Sequence, residues 1–149
     1  MIKVLCVDDS SIDLEFISEA LRIHNIETVT VQDPHEAVAI AKQCKPDMVL
    51  LDLLMADMSG IELCKQFKTD PDTANLPIMF LTADQTNESL VQGVHLGVMD
   101  YIHKPINRAE LASTIIAQNA ALQLKQLFNP LKVKSREYMD KYSDNNRTA

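Results

Sequence analysis

A chain of 149 residues, 46% hydrophobic and 23% charged, is long enough for one ordinary domain with its own core, plus an appendage. Its formal charge of −7 argues against nucleic acid as the main partner, because affinity for DNA rests largely on Lys and Arg neutralising phosphates. No apolar stretch approaches the roughly 18 residues of a membrane span, and the opening MIKVLCVDD lacks the basic n-region of a secretory signal; no membrane association and a cytoplasmic location are expected.

The first element read from the chain is a short β-rich run, Ile2 to Val7, followed by the carboxylate pair Asp8-Asp9. Asp9, Ser10 and Ser11 offer N-caps for a helix in which Ile12, Phe16 and Ala20, and beside them Ile17 and Leu21, recur at i+4. Glu27 to Gln32 alternates polar and apolar residues, as an edge strand does. Asp33-Pro34 reads as an N-cap with Pro at N1, opening a helix with Ala37, Val38, Ile40, Ala41 and Cys44 that Lys45-Pro46 stops. Met48 to Leu51 is apolar on both faces, the mark of a central parallel strand, and ends at Asp52. A loop from Asp57 to Gly60 leads to a helix with Ile61, Leu63, Cys64 and Phe67 inward. After the polar turn TDPDTANLP, Ile78 to Leu81 forms a second fully apolar run, ending at Thr82. Gln85, Thr86 and Asn87 open a helix carrying Leu90, Val91, Val94 and Leu96, and Gly97 closes it. Tyr101-Ile102 is the remnant of a fifth strand; Asn107, with Glu110 three residues on, resembles a capping box and starts the last helix.

Strand and helix thus alternate five times, which implies an α/β sandwich with a parallel sheet and right-handed crossovers. Ligands of such sheets bind beyond the carboxyl ends of the strands. Asp8, Asp9, Asp52, Thr82, Tyr101 and Lys104-Pro105 fall there, so one sheet edge carries three carboxylates, a hydroxyl and an ammonium. Crowded carboxylates repel unless a cation joins them, and the spacing therefore implies a metal site. GxGxxG and the P-loop pattern are both absent, which disfavours dinucleotide and P-loop folds. Cys6, Cys44 and Cys64 lie within or beside apolar patterns without a CxxC pair and read as buried reduced thiols. The domain is expected over 1–125. The last helix is expected to run past the domain edge with an apolar stripe of Ile115, Leu122, Leu124, Leu127, Phe128 and Leu131 and a stop or kink at Asn129-Pro130, and a helical extension and polar tail occupy 126–149. The tail reads as solvated, as a homodimerisation segment, or as a linker to a further domain, with its final residues disordered.

Four segments, VLCVDDS at 4–10, MVLLDLLMADMSG at 48–60, LTA at 81–83 and DYIHKP at 100–105, stand in one order at successive strand ends. On these segments the chain resembles the receiver domain of two-component response regulators over about residues 1–125. The resemblance implies a doubly wound five-stranded sheet of flavodoxin-like order 2-1-3-4-5. It implies that Asp52 accepts a phosphoryl group, that Asp9 and Asp52 ligate Mg²⁺ directly with the Leu54 carbonyl, and that Asp8 acts through a metal-bound water. Lys104 would pair with the acceptor or its phosphoryl oxygen, a point-charge role suited to an ammonium, and Pro105 would carry a cis bond that aims it. Thr82 and Tyr101 match the switch hydroxyl and switch aromatic; small Ala83 leaves room beside the phosphoryl group. Leu54 and Asp84 hold positions that tune phosphoryl lifetime, for which an intermediate length is expected.

Two positions depart from the family pattern. Ala56 stands where receivers usually have Pro, which loosens the acceptor loop, and Ser59 replaces a frequent Asp before Gly60. His103 reads as a surface imidazole or a pH-sensitive partner contact, and His24, His35 and His95 are scattered. The function implied is a phosphoacceptor signalling domain, catalysing only its own phosphorylation and dephosphorylation. Its implied partners are a sensor histidine kinase or histidine phosphotransfer protein and a downstream effector. The alternatives are the receiver portion of a longer regulator with an enzymatic or DNA-binding effector, a phosphohydrolase using an aspartyl phosphate, and a receiver that is never phosphorylated.

Overall fold

The computed structural model describes residues 1–83 and 87–147, with side chains outside the description at 87, 89 and from 129 onward. Five strands, β1 (Lys3–Val7), β2 (Glu27–Val31), β3 (Met48–Asp52), β4 (Ile78–Thr82) and β5 (Asp100–His103), alternate with α1 (Ser11–Arg22), α2 (Ala37–Cys44), α3 (Gly60–Thr69), α4 (Asn87–Leu96) and α5 (Arg108–Arg147). All pairings are parallel and the order is β2-β1-β3-β4-β5, so the chain reverses direction across the sheet between β1 and β3.

The two apolar runs read as central strands are buried along their whole length, and each fully buried Leu, Ile or Phe there contributes about 1.5–3 kcal/mol. The partly exposed ETVTV strand lies at the edge. Local signals act where the sequence puts them. Ser10 Oγ accepts the Asp13 N–H as the α1 cap, and Asp33 accepts from His35 N–H. Asp33-Pro34 opens a 3-10 turn, Pro34–Glu36, before α2, and Lys45 ends α2 in the left-handed region at φ 49°. Ser59, read only as a turn residue, caps α3 by accepting from the Glu62 N–H. Leu63, Cys64 and Phe67 then pack inward.

Several sequence expectations are corrected. Ile12 lies on the exposed side of α1, because the buried stripe runs through Leu14, Ile17, Ala20 and Leu21. Phe16 is half-buried, with the Arg108 guanidinium 4.9 Å over its ring. Val91 and Val94 point to solvent from α4, whereas Leu90 and Leu96 are half-buried. Of the expected stop or kink at Asn129-Pro130, the stop does not occur: α5 is helical to Arg147. A proline removes one helical bond and crowds the preceding turn, costing about 3 kcal/mol, and the strong helix formers on either side carry the helix past it. The chain divides into compact units Met1–Ile115 and Ile116–Ala149. Leu111, Ala112 and Ile115 of α5 belong to the core of the first. In the second, Ile116, Leu124, Leu127 and Phe128 are exposed. Asp84, Gln85 and Thr86 lie outside the described residues.

Candidate functional site

The loop leaving β1 begins with a fully buried carboxylate. The Asp8 N–H still follows the strand and donates to the Val31 carbonyl at 3.1 Å, while Asp8 Oδ1 accepts the Ser10 N–H at 2.9 Å. Asp9, one residue on, faces solvent; its Oδ2 accepts the Ala56 N–H at 2.9 Å, fastening this loop to the one after β3. Asp52 closes β3, is almost wholly buried, and its Oδ1 accepts the Leu54 N–H at 3.2 Å. Oxygens of Asp8, Asp9 and Asp52 lie within 4.8 Å of one another. Such a set of hard oxygen donors fits Mg²⁺, which takes oxygen ligands and is held by a few carboxylates with waters completing its shell.

Lys104 reaches the same place from the far side. Its N–H donates to the Thr82 carbonyl at 2.8 Å, extending the β4–β5 pairing, and the Lys104–Pro105 bond is cis. Its Nζ donates to Asp8 Oδ2 at 2.8 Å, Asp13 Oδ2 at 2.9 Å and Asp52 Oδ2 at 3.3 Å. Burial opposes the ammonium's charge, but its hydrogen bonds to Asp8 and Asp13 and the Asp52 charge outweigh it and hold its pKa above the ordinary value. The opposite balance holds at Asp52, where burial first and the Asp8 charge second raise the carboxyl from 3.8 to about 6, against the pull of Lys104 and the Leu54 N–H.

Thr82 ends β4 fully buried, one residue beyond the partner of Asp52 and in register with His103, which is exposed. Tyr101 pairs with Phe80 across β4 and β5, with ring centroids 5.8 Å apart, and its hydroxyl donates to the Leu90 carbonyl of α4 at 2.8 Å. Burial pushes its phenol pKa up. Leu54 is exposed at the rim. Cys6 and Cys64 are buried, Cys44 is half-buried, and burial raises all three thiols, which keeps them protonated and unreactive.

Three neighbours of the site were not read from sequence as such. Asp13 completes the cradle of Lys104 from the first turn of α1; its only sequence signal is its place one helical turn after Asp9. A Cβ on Gly60 would strike the Asp52 carbonyl and come within 2.8 Å of Leu53 Cα, so α3 starts close beneath the end of β3 only because residue 60 is glycine. A Cβ on Gly93 would collide with the Tyr101 hydroxyl, so that glycine makes the notch into which the ring fits.

Residues 4–116 match the family described as the response regulator receiver domain. The chain belongs to that family. Among its relatives, the phosphate regulon transcriptional regulatory protein PhoB of Pseudomonas aeruginosa is 36% identical over 114 residues, covering 76% of this chain and 50% of PhoB. The receiver is also 31% identical over 117 residues to protein PilH of the same organism, covering 78% of this chain and 97% of PilH. It spans about half the length of PhoB and of the DNA-binding response regulator MtrA of Mycobacterium tuberculosis, to which it is 33% identical. The chemotaxis protein CheY4 of Vibrio cholerae has the same fold, with a TM-score of 0.74 at 31% identity over 78% of this chain and 98% of that one. The receiver is thus a signalling domain of two-component systems. Among the described residues, no helix is long and apolar enough to cross a membrane.

Proposed function

We propose that this receiver, in the cytoplasm, takes a phosphoryl group onto Asp52 from a phosphohistidine of a sensor kinase or phosphotransfer protein and thereby switches a protein-binding surface. The observation that carries the reading is the convergence of Asp8, Asp9 and Asp52 within 4.8 Å, with the Lys104 ammonium on Asp8 and Asp52. Asp9, Asp52 and the Leu54 carbonyl would hold Mg²⁺, with Asp8 acting through a water. When bound, the cation neutralises charge building on the transferring oxygens. An Asp52 oxygen forms the bond to phosphorus as the bond from phosphorus to the imidazole nitrogen breaks, and the leaving imidazole keeps the electron pair. Lys104 offers an ammonium to a phosphoryl oxygen, and the Leu54 N–H orients the attacking carboxylate.

Thr82 would then bond a phosphoryl oxygen and Tyr101 would move inward behind it, breaking its bond to Leu90. That is a local charge and packing change biasing a two-state element. The surface it alters comprises α4, Tyr101 and α5, and a downstream effector protein would read it. A second reading, the receiver portion of a longer regulator, is favoured by the half coverage of PhoB and MtrA. The exposed Ile116, Leu124, Leu127 and Phe128 suit a homodimer through the last helix in either reading.

Incubation with acetyl phosphate and Mg²⁺, followed by intact mass, tests the acceptor. A single phosphoryl adduct that disappears in Asp52→Asn is expected. No adduct on folded, Mg²⁺-bound protein refutes the reading.

A further inference from the structure

The ammonium of Lys104 has three protons, and three carboxylates take them: Asp8 at 2.8 Å, Asp13 at 2.9 Å and Asp52 at 3.3 Å. A phosphoryl oxygen arriving on Asp52 must compete with the other carboxylates for that ammonium. Asp8 is fully buried and pinned by the Ser10 N–H, so it is stationary. Asp52 is the group that carries the phosphoryl. Asp13 is the partner left to yield: its side chain is 39% exposed, so solvent can take over its charge when the ammonium departs. Its backbone is fixed meanwhile by the cap, since Ser10 Oγ accepts its N–H at 3.3 Å.

We propose that Asp13 is a positioning residue that draws Lys104 toward α1 and away from the acceptor until a phosphoryl oxygen competes for the ammonium. The bond lengths show the bias, because the ammonium sits closer to Asp8 and Asp13 than to Asp52. Asp13 does two things in this role. It slows phosphoryl uptake, by occupying Lys104 and by adding a negative charge that shares this ammonium with Asp52, where an anionic donor must approach. It also favours cation binding, because an ammonium held on α1 competes less for Asp8 and Asp52.

The proposal rests on Asp52 as acceptor, and two measurements keep the two ideas separable. In Asp13→Asn, uptake from acetyl phosphate at saturating Mg²⁺, followed by intact mass, is expected to be about three- to tenfold faster than in wild type. Calorimetric Mg²⁺ binding without any phosphodonor is expected to be about threefold weaker. Both differences should shrink at high salt, and Asp13→Glu, whose carboxylate still reaches the ammonium, should restore both. A merely structural role would instead slow uptake and lower the melting temperature in EDTA. Uptake that is unchanged or slower in Asp13→Asn, or Mg²⁺ affinity that does not fall, overturns the proposal. Wild type that takes no phosphoryl group refutes the function proposed above, and the Mg²⁺ comparison then decides on Asp13 alone.

Discussion

Substituting Asp52 by Asn tests the electrostatics of the site without any phosphodonor. In a chelator, burial and the Asp8 charge hold the Asp52 carboxyl at about 6 rather than 3.8. Below pH 3.8 the folded and unfolded chains both keep the proton; between 3.8 and about 6 the unfolded chain releases it first. Stability contributed by this group therefore falls as pH rises through that window, by about 3 kcal/mol once both states are ionised. Removing one member of a buried ion pair usually strands the other. Lys104 is not stranded here, because Asp8 and Asp13 stay at 2.8 and 2.9 Å. The Asn amide oxygen can still accept the Leu54 N–H. Asp52→Asn is thus expected to be more stable than wild type at pH 7 in EDTA, by about 1–3 kcal/mol. The gap should shrink to about half a kcal/mol at pH 4. Urea unfolding followed by far-UV circular dichroism at both pH values measures it. Adding Mg²⁺ should stabilise wild type and leave the variant nearly unmoved. A variant less stable than wild type at pH 7, or a gap that ignores pH, would refute the reasoning.

Three further outcomes are expected. Lys104→Gln leaves Asp8 and Asp52 facing each other without a cation, so metal-free stability at pH 7 should drop by about 3 kcal/mol; thermal melts should show Mg²⁺ stabilising this variant more than it does wild type, and equal Mg²⁺ shifts would contradict the argument. Gly93→Ala should drive the Tyr101 ring off the Leu90 carbonyl, changing the near-UV dichroism and costing about 1–3 kcal/mol; an unaltered spectrum and stability would rule this out. Leu54→Asn supplies an amide at an exposed rim position where the apolar side chain offers water nothing. Decay of the acetyl-phosphate-labelled protein should quicken by about fivefold, the worth of one hydrogen bond, and an identical decay rate would remove residue 54 from the account.

The fold was readable because its signals are local. MVLL and IMFL must be buried on both faces, ETVTVQ can be buried on only one, and Ser10 and Asp33 mark two helix starts as caps. Alternation of strand and helix implies only a parallel sheet; the strand order follows from the family likeness. The face of a helix is harder to read. Ile12 and Val94 sit at helical spacing with buried neighbours yet face solvent, because periodicity locates a stripe only to within a residue or so on either side. Pro130 misleads for a related reason: a local rule marks a break, while the flanking sequence outweighs it. At the site, Asp8, Asp9, Asp52 and Lys104 meet because parallel strands deliver their ends to one edge. Asp13 and Gly93 escaped notice because their significance exists only through partners distant or unremarked in sequence. Asp13 meets Lys104 across 91 positions, and Gly93 matters only because a tyrosine hydroxyl fills the space beside it.

The bond from the Ala56 N–H to the Asp9 carboxylate has a consequence for regulation. Proline at position 56 would have no proton to give, so this tether requires a residue other than proline there. The same carboxylate belongs to the oxygen cluster suited to a cation. Any preference of a bound cation for an untethered Asp9 must be matched, by thermodynamic reciprocity, by a preference of the slackened loop for the cation-bound form. A protein that grips this loop at Ala56 would thereby alter cation affinity through Asp9, and the strength of that coupling is bounded by one charge-assisted hydrogen bond, about 1.5–3 kcal/mol.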